Sequence, residues 1–241
     1  MKSHPILYKP TMAQSVHDDL KSMTRRIIKP QPKKYLIRSD AFGCWFDNAS
    51  ESEYDMRKVT CPWAIGDLLW VKEEHYAFGT WWRNGYTEKG REKWKFEDKT
   101  SSANPICFPN NLPEKVCKLK HKGVEDGYYK RNSLFMPKRH CRTRTVIKDI
   151  KAERLQDITP EDALKEGIDI DSDFADLCQN ILDNCGEHSH DVEKNSAEIA
   201  CFRKLWDSIN GKPRKDGVDI SWFANPLVFV ISFERIGKDN K

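Results

Sequence analysis

The stretch Lys21-Ser22-Met23-Thr24-Arg25-Arg26-Ile27-Ile28-Lys29-Pro30-Gln31-Pro32 decides how the first part of this chain folds. From Thr24 its β-branched residues favour a strand, and the prolines stop it. In such a strand Thr24 and Arg26 share one face. Just upstream, Met12, Val16 and Leu20 recur at four-residue spacing, which predicts a short helix ending near Lys21. Far along the chain stands Leu155-Gln156-Asp157-Ile158-Thr159-Pro160-Glu161-Asp162-Ala163-Leu164-Lys165-Glu166-Gly167. It reads as a helix capped by Thr159, with Pro160 at the first position, Asp162 at the capping-box position and Gly167 as the stop.

Working outward, the Gly66-Asp67 turn leads into Leu68-Leu69-Trp70-Val71-Lys72-Glu73, a buried strand with Trp70 in the core. Thr143, Thr145, Val146 and Ile147 favour a strand from Arg142 to Ile150 with basic side chains on one face. Phe174, Leu177, Ile181 and Leu182 suggest a helix. Ile199, Phe202, Leu205, Trp206 and Ile209 predict a stronger one that closes at Asn210-Gly211. Leu227, Phe229, Ile231 and Phe233 alternate through a last strand entered by Asn225-Pro226. Residues 78–134 are rich in Lys, Asn, Gly and aromatics without sustained periodicity, so they are expected to form an insertion with little regular structure. The order of elements is not the regular alternation of a parallel α/β protein. It predicts an α+β fold, a small mixed β-barrel with rim helices. One domain over 1–241 would carry insertions at about 29–62, 78–134 and 169–196.

The 241 residues hold 41 basic and 37 acidic side chains, so the net charge of +4 attracts polyanions only weakly and nucleic-acid binding would depend on clusters. Two clusters exist: Lys21, Arg25, Arg26 and Lys29, then Lys138, Arg139, His140, Arg142 and Arg144. They face phosphates or are plain solvated charge. Neither an export signal nor an apolar run of membrane-spanning length is evident, so a soluble, cytoplasmic protein with reduced thiols among its eight cysteines is expected. Cys178, Cys185, His188 and His190 lie close in sequence, and Cys107, Cys117 and His121 form a looser set. Without a Cys-x-x-Cys knuckle, free thiols are the default and no metal is expected. No glycine-rich phosphate loop and no Ser-His-Asp signature occurs, and no cofactor is expected.

The two opening stretches place a lysine, a hydroxyl, a guanidinium and a carboxylate as candidates for one pocket, a set suited to a polar heteroaromatic ligand such as a nucleobase. A threonine hydroxyl becomes a nucleophile when a base takes its proton, and a lysine serves as that base when burial or a nearby cation, here Arg26, lowers its pKa. The plain alternative makes Lys21 a helix C-terminal cap and Thr24 an ordinary strand residue. Glu166 falls in the last helical turn, where the macrodipole disfavours negative charge, as suits a proton donor. Glu73 follows a buried strand and could accept from a cytosine amino group, whereas Glu74 reads as surface. Trp81 and Trp82, in a polar segment, are candidate stacking platforms.

Together with Gly66-Asp67-Leu68-Leu69-Trp70-Val71 and Phe229-Val230-Ile231-Ser232-Phe233, these stretches make the chain resemble the ASCH family of the PUA-like superfamily, particularly its longer members frequent in bacteriophage genomes. Lys21 to Arg26 resembles the family's Gly-x-Lys-Thr-x-Thr-x-Arg segment. The resemblance implies a PUA-like barrel and, from members that deacetylate N4-acetylcytidine, Thr24 as nucleophile, Lys21 as its base and Glu166 as proton donor to the departing amine. The chain departs from that pattern at Asp19 and Leu20, which replace a glycine and a basic residue, and at Ser22, which replaces a threonine. Many relatives are regarded as binders of RNA or modified bases. The expected partner is therefore a nucleic acid or modified nucleoside, with Arg25, Arg26, Lys29, Arg139, Arg142 and Arg144 as phosphate or base contacts. A protein that inhibits a host factor is the remaining alternative.

Overall fold

The computed structural model describes residues 1–32, 36–39, 44–48, 56–117, 125–168, 196–212 and 216–237. It is a mixed α+β structure, mostly sheet with few helices: β1 (Ser3–Leu7), α1 (Pro10–His17), β2 (Met23–Ile27), β3 (Leu36–Ser39), β4 (Cys44–Asn48), β5 (Met56–Val59), β6 (Leu68–Lys72), β7 (His75–Tyr86), β8 (Glu92–Asp98), β9 (Val116–Cys117), β10 (Gly127–Arg131), β11 (Arg144–Arg154), α2 (Pro160–Lys165), α3 (Ala197–Asn210) and β12 (Leu227–Arg235). The chain divides into two compact units. The first comprises Met1–His4, Ser15–Leu69 and Thr145–Lys241, the second Pro5–Gln14 and Trp70–Arg144. The strands form sheets ordered β1-β6-β11-β12-β2, β8-β7-β10-β9 and β3-β4-β5. Among the described residues these are open sheets, and the closed barrel expected from the sequence is not formed.

In the first unit β12 runs antiparallel to both β11 and β2, with Ile231 level with Ile150 on one side and Thr24 on the other. A central strand is covered on both faces, so Leu227 to Ile231 are all buried instead of alternating. Val228 and Val230 join Met23, Leu155, Phe202 and Trp206 in one core. Phe229, on the other face, packs against Trp45 at 5.9 Å. Helix α3 forms as expected: Ser196 caps it by accepting from the Ile199 amide at 3.3 Å, and Ile199, Phe202 and Trp206 make its buried stripe.

Helix α1 stops earlier than expected. Asp19 takes φ 61°, the left-handed region, so the chain turns after His17 and Leu20 is left 68% exposed. The buried helix face is Ala13 and Val16. No helix among the described residues is long and apolar enough to cross a membrane.

In the second unit the stretch expected to lack regular structure holds a four-stranded sheet. Beyond Gly79, among the described residues, β7 pairs only with β8, and from Trp82 onward nearly every residue of this ribbon is exposed. Two wet faces produce no hydrophobic alternation, which is why the strands are silent in the sequence. Trp70, expected in the core, is half-buried under the Lys72 ammonium, while Leu69 and Val71 are the buried positions. The expected helix at Phe174 to Leu182 lies outside the described residues.

Candidate functional site

Lys21 reaches its place through the turn after α1. The carboxylate of the left-handed Asp19 meets Arg235 Nε at 3.0 Å while Arg235 Nη1 donates to the His17 carbonyl at 2.6 Å. The Leu20 and Lys21 amides donate to the Ser15 carbonyl at 2.8 and 3.1 Å. Ser22 then ties three elements, its amide donating to the Lys165 carbonyl at the end of α2 and its carbonyl accepting from Phe233 of β12.

Helix α2 is capped as its sequence demands, with the Thr159 hydroxyl accepting from the Asp162 amide at 3.2 Å. Gly167, at φ 80°, ends it, and a Cβ there would lie 2.9 Å from Lys21 Cβ and 3.2 Å from Ser15 Cβ. The missing side chain lets the helix end close on the lysine. Lys21 Nζ donates to Glu166 Oε2 at 2.6 Å and to the Glu166 carbonyl at 2.5 Å, with both residues only 2% exposed. The Lys21 side chain therefore caps α2, while its backbone amide serves the end of α1.

Arg25 adds a second cation. Strand alternation puts it on the β2 face that carries Met23, opposite Thr24 and Arg26. Its side chain is 0% exposed, and its guanidinium meets Glu153 at 2.7 Å, Asp162 at 3.0 Å and Glu166 at 3.3 Å. Asp162, expected as a cap acid, faces Arg25 instead. Burial pushes the Lys21 amine below the ordinary lysine range; Glu166 pulls it back up, while Arg26 and Arg25 add to the lowering. The cation expected to act on Lys21 is thus present, with burial the larger cause.

Of the three proposed catalytic groups, Lys21 and Glu166 meet. Thr24 follows three residues later, 2% exposed, in the ladder opposite Ile231 and on the strand face away from Arg25. Arg26 is half-buried, and Lys29 is exposed beside a cis Lys29–Pro30 peptide. Arg25 was expected to contact phosphate, but its buried guanidinium leaves no surface for one. Sequence reasoning missed Glu153 and Asp162 as its partners. The available signal was the period-two alternation that sends Arg25 inward with Met23.

In the second unit Glu73 and Arg142, expected as separate ligand contacts, are partners of each other. Arg142 Nε and Nη2 reach Glu73 Oε1 and Oε2 at 2.9 and 2.8 Å, a bidentate pair in which Glu73 is 1% exposed. Gln14 and Asn110 accept from Nη2 and Nη1 at 3.0 and 3.2 Å, and the guanidinium lies 4.1 Å from the Phe108 ring centre. Arg139 is exposed and pairs with Asp98 at 2.8 Å, and Arg144 is exposed at the start of β11. Glu74, expected at the surface, is half-buried and paired with Lys130 at 2.8 Å.

Among the described residues no group of three or more His, Cys, Asp or Glu is placed to hold a metal ion, and Cys107 and Cys117 are free thiols. His121, Cys178, Cys185, His188 and His190 lie outside the described residues. Compared with protein-family models, curated proteins and solved structures, the chain matches none.

Proposed function

We propose that the chain is an ASCH-type, PUA-like module that binds a nucleic-acid base or modified nucleoside beside Lys21, Thr24 and Glu166, and hydrolyses an N-acyl amide on that ligand. The observation that carries this reading is the buried contact between Lys21 Nζ and Glu166 Oε2, 2.6 Å apart and supplied by segments 145 positions apart. Evolution of a buried ion pair for stability alone is poorly rewarded, because desolvation of the two charges offsets their attraction. An amine whose burial favours the neutral form is also what a base for a hydroxyl needs.

In this mechanism the neutral Lys21 amine takes the Thr24 hydroxyl proton as Oγ1 attacks the acyl carbon. The carbon–nitrogen bond breaks, Glu166 in its acid form protonates the departing amine, and water then cleaves the Thr24 ester to release the carboxylic acid. Arg26, on the Thr24 face of β2, is the candidate contact for the ligand's polar edge.

The test is acetate release from N4-acetylcytidine by the purified chain, with loss of turnover in Thr24→Ala and retained ligand binding in the same variant. Absence of turnover across a panel of acylated nucleosides removes the hydrolytic step. Absence of binding across that panel removes the nucleoside site itself.

A further inference from the structure

The β7–β8 ribbon of the second unit has a composition that its own fold does not use. Trp82, Tyr86 and Trp94 are 37%, 57% and 45% exposed on two strands that no third strand covers beyond Gly79 among the described residues. Large aromatic rings left open in this density mark a surface that a partner covers. Cations are interleaved with them. Arg83 is paired with Glu92 at 3.3 Å, but Lys89, Arg91, Lys93 and Lys95 make no ion pair among the described residues. Register puts Trp82 level with Lys95 on one face, the ammonium 5.4 Å from the ring centre, and Arg83 level with Trp94 on the other, so each face sets a ring beside a positive charge.

At the base of the ribbon stands Arg131, opposite His75 in the β10–β7 ladder. Its guanidinium carbon lies 4.4, 4.8 and 5.0 Å from the ring centres of Phe96, Trp81 and Phe135. Rings surround the charge, yet among the described residues the Arg131 guanidinium makes no hydrogen bond and no ion pair. Asp98, whose charge reaches it, is already engaged by Arg139 at 2.8 Å and His140 at 3.2 Å. The neighbouring Trp81 Nε1 is buried and also lacks an acceptor. A half-buried guanidinium set among aromatic rings, with its donors unspent, is a receptor for an oxyanion.

We infer that this ribbon binds single-stranded nucleic acid, with a phosphate on Arg131 and bases stacked on Trp94 and Tyr86, which share the ribbon face of Trp81 and Phe96. Duplex DNA or RNA hides its base faces in the stack, whereas a single strand presents them to aromatic side chains. The unpaired lysines and Arg91 supply the field that holds the backbone. None of these residues contributes to the Lys21–Glu166 pair, so the inference stands or falls independently of the hydrolase reading.

The test is fluorescence anisotropy of the full chain with labelled oligothymidylate and oligouridylate, their duplexes, and polyglutamate as competitor. Single strands should bind at low salt and quench tryptophan emission, duplexes and polyglutamate more weakly. Trp94→Ala should weaken binding about tenfold, and Arg131→Gln about fivefold or more. Lys93→Ala with Lys95→Ala should flatten the dependence of log K on log salt by about one to two. All these positions except Arg131 are exposed, so the lysine pair keeps the test decisive if circular dichroism shows another variant misfolded. No binding at low salt overturns the inference. So does binding that the ring and lysine substitutions leave unchanged, or that polyglutamate displaces as readily as a single strand.

Discussion

Lys21 donates to both ends of Glu166, the carboxyl group and the backbone carbonyl, so a single side chain engages an acid and closes the helix that carries it. The last carbonyls of a helix need donors, and a positive charge there also meets the macrodipole favourably. The link also ties the beginning of β2 to the end of α2, which Ser22 and Lys165 reinforce through the backbone.

Removing one partner of that pair should cost far more than removing both charges. Lys21→Ala leaves Glu166 buried with Arg25 alone and should destabilise the protein by about 3–5 kcal/mol. The double replacement Lys21→Met with Glu166→Gln should be clearly milder than the sum of its single changes. Urea unfolding of the four proteins in the cycle measures the coupling, and additive effects would show that the pair is not coupled.

Arg25 should be irreplaceable by lysine. Its planar fork reaches Glu153, Asp162 and Glu166 at once, a geometry a single ammonium cannot copy. Arg25→Lys is therefore expected to recover only part of the roughly 3–5 kcal/mol lost in Arg25→Ala. Equal stability of wild type and Arg25→Lys in thermal unfolding would contradict it.

How much of this was legible in the sequence depended on the range of the forces involved. The α2 boundaries were legible because Thr159, Pro160 and Gly167 act within one turn. The α3 stripe was legible because its period repeats over 14 residues. Arg25 looked like one of a basic surface cluster because its three acids come from β11 and α2, more than 120 positions away. Glu73 and Arg142 were both singled out, but their pairing was hidden for the same reason. The end of α1 was misjudged because a non-glycine residue, Asp19, takes the left-handed conformation that breaks the helix.

Gly167 should tolerate no side chain. Its φ of 80° strains any L-residue, and a methyl group would press on Lys21 Cβ at 2.9 Å and Ser15 Cβ at 3.2 Å. Gly167→Ala is expected to cost about 1–3 kcal/mol and to loosen the Lys21–Glu166 contact. By contrast Gly90→Ala, at a similar φ of 72° but with open space around its Cβ, should lose only the backbone part. Chemical denaturation of both variants separates the steric cost from the conformational one; equal losses would remove the close-packing argument.

The charge state of Lys21 gives stability a pH dependence whose sign is fixed. Burial lowers its pKa from the ordinary 10.5, Glu166 only partly restoring it, so the folded protein releases this proton at lower pH than the unfolded chain does. Between the lowered value and 10.5 the unfolded chain holds more protons, and stability from this group must rise with pH across that window. Its contribution is complete above 10.5 and is lost as pH falls through the folded value. Measured by urea unfolding against Lys21→Met with Glu166→Gln, which cannot titrate there, the wild type should gain ground as pH climbs towards 10.5. A stability difference that stays flat, or that shrinks, would mean that the attraction of Glu166 outweighs burial and keeps the amine charged.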